Sequence, residues 1–419
     1  LLSLFCIFAA QLLIIRMKFK FIPLFFCLFL TSFCFAQETD SKKEIDDKIA
    51  YLPYIRFGTG IGITSPDSLN KLNIRFRMQN RVSFNTNEAG ERVVDGQIRR
   101  LRLRFDGYVG NPKLMYALQL SFAPGDVGAV NESENLNIIR DAVVFYSPNK
   151  YWLLGFGQTK LPGNRQRINS SGGVQLTDRS INNARFNIDR DFGLLVYYSR
   201  PNYDRFTYNI KTAISGGEGR NFTSNDDMGL AYTGKIELFP GGNFTNGGDF
   251  FEGDLEREKK LKTMFSVAYQ FNDNAKKTQG QLGEEMSQKA DLQNLLADFM
   301  LKKSGFAFMA TYMQRNTKNP LLNYDQDKLF IFTGHGFDLQ SSYITKKNIE
   351  FIGRYSNQKV DKAIANITPD TQQFTGGITK YIREHAFKIQ AEFTYQLTDN
   401  YLIGQSSSHY TRFQIEMGI

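Results

Sequence analysis

The sequence predicts an all-β fold, a transmembrane antiparallel up-and-down β-barrel of about 16 strands with short turns on one side and long loops on the other. Three observations carry this reading. Apolar and polar residues alternate with period two over most of the chain, the signature of strands with two unlike faces. After residue 36 there is no run of about 20 apolar residues of the kind a membrane helix needs. The apolar face is almost wholly Leu, Ile, Val, Phe and Tyr, while the opposite face is charged. A soluble sandwich would turn its apolar set into a core under a second sheet, so charge opposite lipid-type residues points to a wet lumen.

Composition agrees: 37 Phe, 20 Tyr, 35 Gly and one Trp in 419 residues, with a mean hydropathy of −0.36, describe a polar chain rich in aromatics. The N-terminus reads as an export signal, with Met17, Lys18 and Lys20 as the charged start, residues 21–33 as the apolar stretch, and cleavage after Ala36. Residues 1–16 read as an over-called start upstream of Met17. One long signal anchor and a lipoprotein at Cys34 are the alternatives; Phe33 is a poor fit to the small residue that lipid attachment prefers. Cys6, Cys27 and Cys34 all precede Gln37, so the mature chain is expected to hold neither a disulfide nor a thiolate metal site. The formal charge of +9 contains only three cations before Gln37, so the mature chain keeps a modest basic excess.

Residues 37–53 are charged and nearly free of aromatics, and read as a periplasmic lead-in; the barrel is expected over 54–419. In 73–84, Ile74, Phe76, Met78, Val82 and Phe84 share one face, against Arg75, Arg77, Gln79, Arg81 and Ser83. In 100–109, Leu101, Leu103, Phe105 and Val109 alternate with Arg100, Arg102, Arg104 and Asp106. The same grammar recurs in 113–122, 205–215, 265–271, 306–312, 349–355 and 387–395, and closes with Phe413, Ile415, Met417 and Ile419 outward. Gly, Asn, Asp and Pro punctuate the runs, as at 110–112, 147–149 and 201–204. Longer polar stretches at 123–135, 161–173, 240–260, 272–290 and 316–329 are expected as loops. The count is 16 to 18, taken as 16; segments 55–63 and 174–182 fit the alternation least well.

Five segments in order resemble the phosphate-selective porin O and P family, in the form common among Bacteroidetes-type Gram-negative bacteria. They are RRLRLRFDG at 99–107, RDAVVFY at 140–146, FGQTKLPG at 156–163, TDRSINN with DRDFGL at 177–183 and 189–194, and YTGKIELFP at 232–240. The resemblance runs from about residue 55 to the end. It departs at the terminus, Met417-Gly418-Ile419, where the family favours an aromatic. It implies an outer-membrane pore, often a homotrimer, that passes small anions such as phosphate or polyphosphate, surrounded by outer-membrane lipid.

A pore needs lumen charges rather than a catalytic group or a cofactor. Guanidinium suits anions because it stays charged, is weakly hydrated and offers forked donors. Arg75, Arg77, Arg81, Arg100, Arg102 and Arg104 are expected on one basic wall, and Lys160, Arg165 and Arg167 open a loop placed to narrow the lumen. A bare Arg row would repel itself, so pairing with acids such as Asp106, Asp141 and Glu350 is expected. His335, His385 and His409 show no metal-ligand spacing, and Ser406 to Ser408 beside His409 make a weak hydrolase signal. Gly58, Gly60 and Gly62 lack the GKS or GKT of a phosphate loop and read as strand glycines. Basic residues alternating with lipid-type ones also argue against nucleic acid. A general or nutrient-specific pore for sugars or dicarboxylates, and a structural or surface-binding barrel, are the other readings.

Overall fold

The computed structural model describes residues 60–127, 137–222, 227–322, 324 and 328–419. The expected export signal and lead-in lie outside these residues. A short strand β1 (Ile61–Thr64) is followed by β2 (Lys71–Thr86), β3 (Arg92–Val109), β4 (Asn111–Ser121), β5 (Ile139–Asn149), β6 (Trp152–Lys160) and β7 (Arg190–Ser199). Next come β8 (Thr207–Ser215), β9 (Ala231–Phe239), β10 (Lys262–Lys277), β11 (Glu285–Lys303) and β12 (Phe306–Asn316). The chain ends with β13 (Gly334–Ile344), β14 (Ile349–Val360), β15 (Asp370–Arg383), β16 (Phe387–Asn400) and β17 (Gly404–Gly418). Each strand pairs antiparallel with the next, and β17 pairs with β2, which closes the sheet.

The seventeen segments make a 16-strand barrel because the two ends of the chain share one position. β1 pairs with residues 71–74 of β2, and β17 with residues 77–86 of the same strand. The terminal main chain completes the seam, Ile419 N–H donating to Phe76 O at 3.0 Å. Of the two weakest segments, the described part of 55–63 contributes β1, whereas 174–182 is not a strand. Its Val174 and Leu176 are buried, and so are Gln175 and Thr177 between them, because the whole segment lies inside the lumen. Gly377 on β15 makes room for it, since a Cβ there would sit 2.4 Å from Leu176 Cδ2.

Alternation along the strands follows the expected faces. On β17, Phe413, Ile415 and Met417 are about half exposed, while Gln414 and Glu416 are buried. The inward face is not polar throughout. Tyr108, Met115, Phe145, Leu195 and Tyr197 form an apolar cluster near the short-turn end of β3 to β7.

Two loop expectations need correction. Residues 272–290 are mostly β10 and β11, joined at 278–284, with ladder shifts near Ala275. Beyond the bilayer the outer face need not be apolar, so alternation fades while main-chain pairing continues. Residues 240–260 were expected among the long loops; they lie in the 240–261 connection from β9 to β10, at the short-turn end with the other connections that follow odd-numbered strands. Polarity cannot reveal which rim a connection occupies; only the strand count can.

Candidate functional site

The site begins with the ladder between β2 and β3, where Arg75 faces Arg104 and Arg77 faces Arg102. Like charges directly opposite destabilise a ladder, so carboxylates stand between them. Asp106 accepts from Arg75 Nη2 at 3.2 Å and from Arg104 Nε at 3.0 Å. Glu416 lies 3.3 Å from Arg77 Nε, and Asp126 accepts from Arg102 Nη2 at 2.6 Å. Each inward Arg thus has an acid beside it, which holds its direction and leaves the wall net positive.

Two of the register shifts each add an Arg to the lumen. In the β2–β3 ladder Gln79 faces Arg100 and Asn80 faces Ile98, so Arg99 is an extra residue. In the β4–β5 ladder Gln119 faces Asp141 and Leu120 faces Ile139, so Arg140 is another. A bulge turns two successive side chains toward one face. Arg99 accordingly reaches Asp178 at 2.8 Å alongside Arg100 at 3.3 Å and Arg81 at 3.2 Å, and Arg140 reaches Asp126 at 2.9 Å.

Residues 161–189, between β6 and β7, cross the lumen and are tied to wall after wall. Ser170 Oγ accepts from Arg77 at 2.9 Å on one side, and Thr177 N–H donates to Glu392 at 2.8 Å on the other. Ser180 Oγ donates to Asp338 at 2.6 Å and also caps the short helix Ile181–Phe186 by accepting from Asn183 N–H. From the opposite rim the 240–261 connection rises to meet this loop. Glu252 N–H donates to Gly173 O at 3.0 Å, and its carboxylate accepts from Gln166 at 3.0 Å and from Gln175 N–H at 3.0 Å. Lys302 Nζ donates to the carbonyls of Gly248, Phe251 and Gly253 at 2.6–2.9 Å, fixing the second loop from below.

What remains open is a cavity of about 500 Å³ between this loop and the wall from β3 to β7, which also reaches Gln373 on β15, Gln396 on β16 and Arg412 on β17. Ten cationic side chains line it against three carboxylates, Asp126, Asp178 and Asp189, so its lining carries a net positive charge. Burial alone would raise the carboxyl pKa of Asp178, but Arg100, Arg99 and Arg81 outweigh it and hold it well below the usual range. Asp189 is likewise lowered, burial being overcome by Arg167 and Arg190. These acids stay ionised and order the guanidinium groups without cancelling them. Arg179 donates to the carbonyls of Gln166 at 2.7 Å and Asn169 at 3.0 Å, which fixes its guanidinium beside Asp178. Arg102 also lines a second, much smaller space of about 30 Å³ with Arg75, Arg77, Arg104, Gln119 and Ser170.

Of the nine residues expected on an anion path, Arg100, Arg102, Lys160 and Arg167 line the wide cavity, and Arg75, Arg77, Arg102 and Arg104 the narrow one. Arg81 lies just above, on Asp178. Arg165 faces the other way and is wholly buried, on Glu237 at 2.7 Å and Asp249 at 3.2 Å. Lys160 donates to the carbonyls of Ile168 and Asn169 at 2.8 and 3.0 Å, and so also fastens the loop. Arg99, Arg140, Arg179, Arg190, Arg220 and Arg412 join the cavity without having been singled out in the sequence. For Arg99 and Arg140 a signal existed: adjacent charged residues, Arg99-Arg100 and Arg140-Asp141, mark where alternation slips.

Comparison with known proteins agrees with the architecture. The family model described as phosphate-selective porin O and P matches residues 72–321. No curated relative matches the chain by sequence. Among solved structures, the outer membrane channel DcaP of Acinetobacter baumannii is similar at a TM-score of 0.53 and 13% identity, covering 85% of this chain and 99% of its own. OmpF of Salmonella typhi, solved with daunomycin, gives 0.53 and 12%, covering 85% and 100%. OprB of Pseudomonas putida gives 0.52 and 8%, covering 83% and 94%. At these identities the likeness is one of fold.

Proposed function

The chain belongs to the phosphate-selective porin O and P family, as a porin of the outer membrane and not an enzyme, and we propose that it conducts small anions, phosphate among them, along the Arg-lined side of its lumen. The observation that carries this reading is the ten-to-three excess of cations around the 500 Å³ cavity. An anion entering from the long-loop rim exchanges part of its hydration for forked guanidinium donors, which match phosphate oxygens and hold their charge at any physiological pH. Arg102, common to both spaces, hands it to the narrow segment between Arg75, Arg77 and Arg104. Binding there is kept weak enough for release because each Arg already shares a carboxylate, and several sites in series favour conduction over trapping.

Replacing Arg100, Arg102 and Arg104 together by Gln leaves Asp106, Asp126 and Asp178 with fewer cations. In a KCl gradient the reversal potential of this variant should move toward cation preference while the barrel stays folded. An unchanged potential would place selectivity elsewhere. Inorganic phosphate added to KCl should reduce the chloride current of the native channel if the two ions share this path. Assembly into homotrimers follows from the family resemblance and is read from the native mass in mild detergent.

A further inference from the structure

Most strand glycines that face the lumen answer to something packed against them, as Gly377 answers to Leu176. Four outward ones, Gly96, Gly234, Gly353 and Gly376, do not. Gly353 on β14 and Gly376 on β15 lie directly opposite each other, and a Cβ on either would meet nothing within 4 Å. Neither has a positive φ. Glycine inside a strand weakens it, so here the missing side chain is itself the feature. Ser341 extends the row opposite Gly353, and Phe308 and Phe393 close it at the two ends. The result is a depression of about 550 Å³ on the lipid-facing surface, bordered toward the long-loop rim by Tyr355 and Phe374, whose rings are 4.9 Å apart. Aromatic rings often cover strand glycines; these two stay one layer away and leave the space open. Gly234 and Gly96 also face open space, but singly, Gly234 between Tyr269 and Thr212 and Gly96 opposite Val82.

Charge below the groove points to its occupant. Lys380 faces outward four residues from Gly376 toward the short-turn rim, about 13 Å at the rise of a strand, and donates to Lys347 O at 2.6 Å. Lys346 and Lys347 in the adjoining turn and Arg383 at the end of β15 are exposed beside it, against Glu384. Short turns face the periplasm in such barrels, and half a hydrocarbon core is roughly 15 Å, close to the offset between cations and groove. We propose that β13 to β16 bind an anionic phospholipid of the periplasmic leaflet, its phosphate on Lys380, Lys347 and Arg383 and one acyl chain laid over Ile378 into the Gly353–Gly376 groove. A side chain from a second barrel would fill the groove but leave the row of rim cations without a role.

The test uses the full-length barrel, reconstituted in vesicles of equal palmitoyl-oleoyl phosphatidylglycerol and phosphatidylethanolamine, then extracted for native mass spectrometry. The native chain should retain phosphatidylglycerol in roughly tenfold excess. Gly353→Leu with Gly376→Leu should remove the retained lipid, and Lys380→Gln with Arg383→Gln, in exposed positions that leave the groove intact, should abolish headgroup preference. All are read on barrels that keep their heat-modifiable mobility in SDS gels. Equal retention of the two lipids by the native chain, or unchanged retention in either variant pair, overturns the proposal. So does a leucine pair that dissociates oligomers with lipid binding intact, since the groove is then an interface between copies.

Discussion

The wall from β2 to β7 and the wall from β9 to β16 are built by the same alternation of inward polar and outward apolar residues, yet the first borders most of the open space and the second is largely covered by loops. On the second wall Gln340, Glu350, Thr379 and Gln390 all bond to Gln175 of the 161–189 loop, at 2.5–2.7 Å. Lys235 and Lys302 direct their ammonium groups to loop carbonyls at 2.6–2.9 Å. On the first wall, guanidinium groups meet too few carboxylates and border a cavity. Inward charge therefore has two settings in one barrel: where two loops meet it fastens them, and where they leave a gap it lines a net-positive cavity. Basic residues alone do not reveal which setting applies; the placement of the loops decides it.

The contrast can be broken most forcefully at Arg165. Its side chain is fully buried between Glu237 and Asp249 and anchors the start of the lumen loop to the filled wall. Arg165→Met leaves buried acid short of a partner, a loss of about 3–5 kcal/mol. The expected result is a lower melting temperature together with a larger single-channel conductance as the loop loosens. Unchanged conductance would mean that the loop is held without this anchor.

A paired substitution sharpens the contrast further. Arg102→Gln removes a cation common to the wide and narrow spaces, whereas Lys235→Gln removes one sealed behind the loop. A unit charge at about 4 Å in water is worth ~1 kcal/mol, so Arg102→Gln should lower the anion-to-cation permeability ratio about fivefold. Lys235→Gln should leave the ratio unaltered. Equal effects from both would erase the distinction between the walls.

The smallest expected effect is pH dependence at the long-loop rim. Glu218, two residues before the cavity-lining Arg220, has its carboxyl pushed up to about 7 by burial, with Asp191 adding to the rise. A raised acid favours the folded arrangement while protonated; that contribution is complete below its ordinary value near 4.5 and is lost as pH climbs through about 7. Ionised Glu218 also places a negative charge beside the path. Anion preference should thus be slightly greater at acidic than at alkaline pH, and Glu218→Gln should flatten the profile. A slope that survives in this variant belongs to another group.

The strands were legible because period two is imposed locally, by lipid on one side and water on the other. β2, β3 and β17 and the Arg ladder between the first two follow directly from it. Arg99 and Arg140 were not legible by the same rule, since a bulge shifts register by one residue and moves a side chain to the other face. Nor was the fate of Arg165, which depends on Glu237 and Asp249, acids from a strand and a connection far along the chain. The 240–261 connection carries the same polar composition as an external loop, and only the closed strand order reveals that it enters from the other rim and fills the lumen beside β11 to β16.

The open part of the lumen is the basic part. The most direct test is the zero-current potential of the purified native channel across a planar bilayer in a KCl gradient, with the protein added from one side. The expected potential has the sign set by chloride. A potential of the opposite sign, or a barrel that carries no current at all, would contradict it.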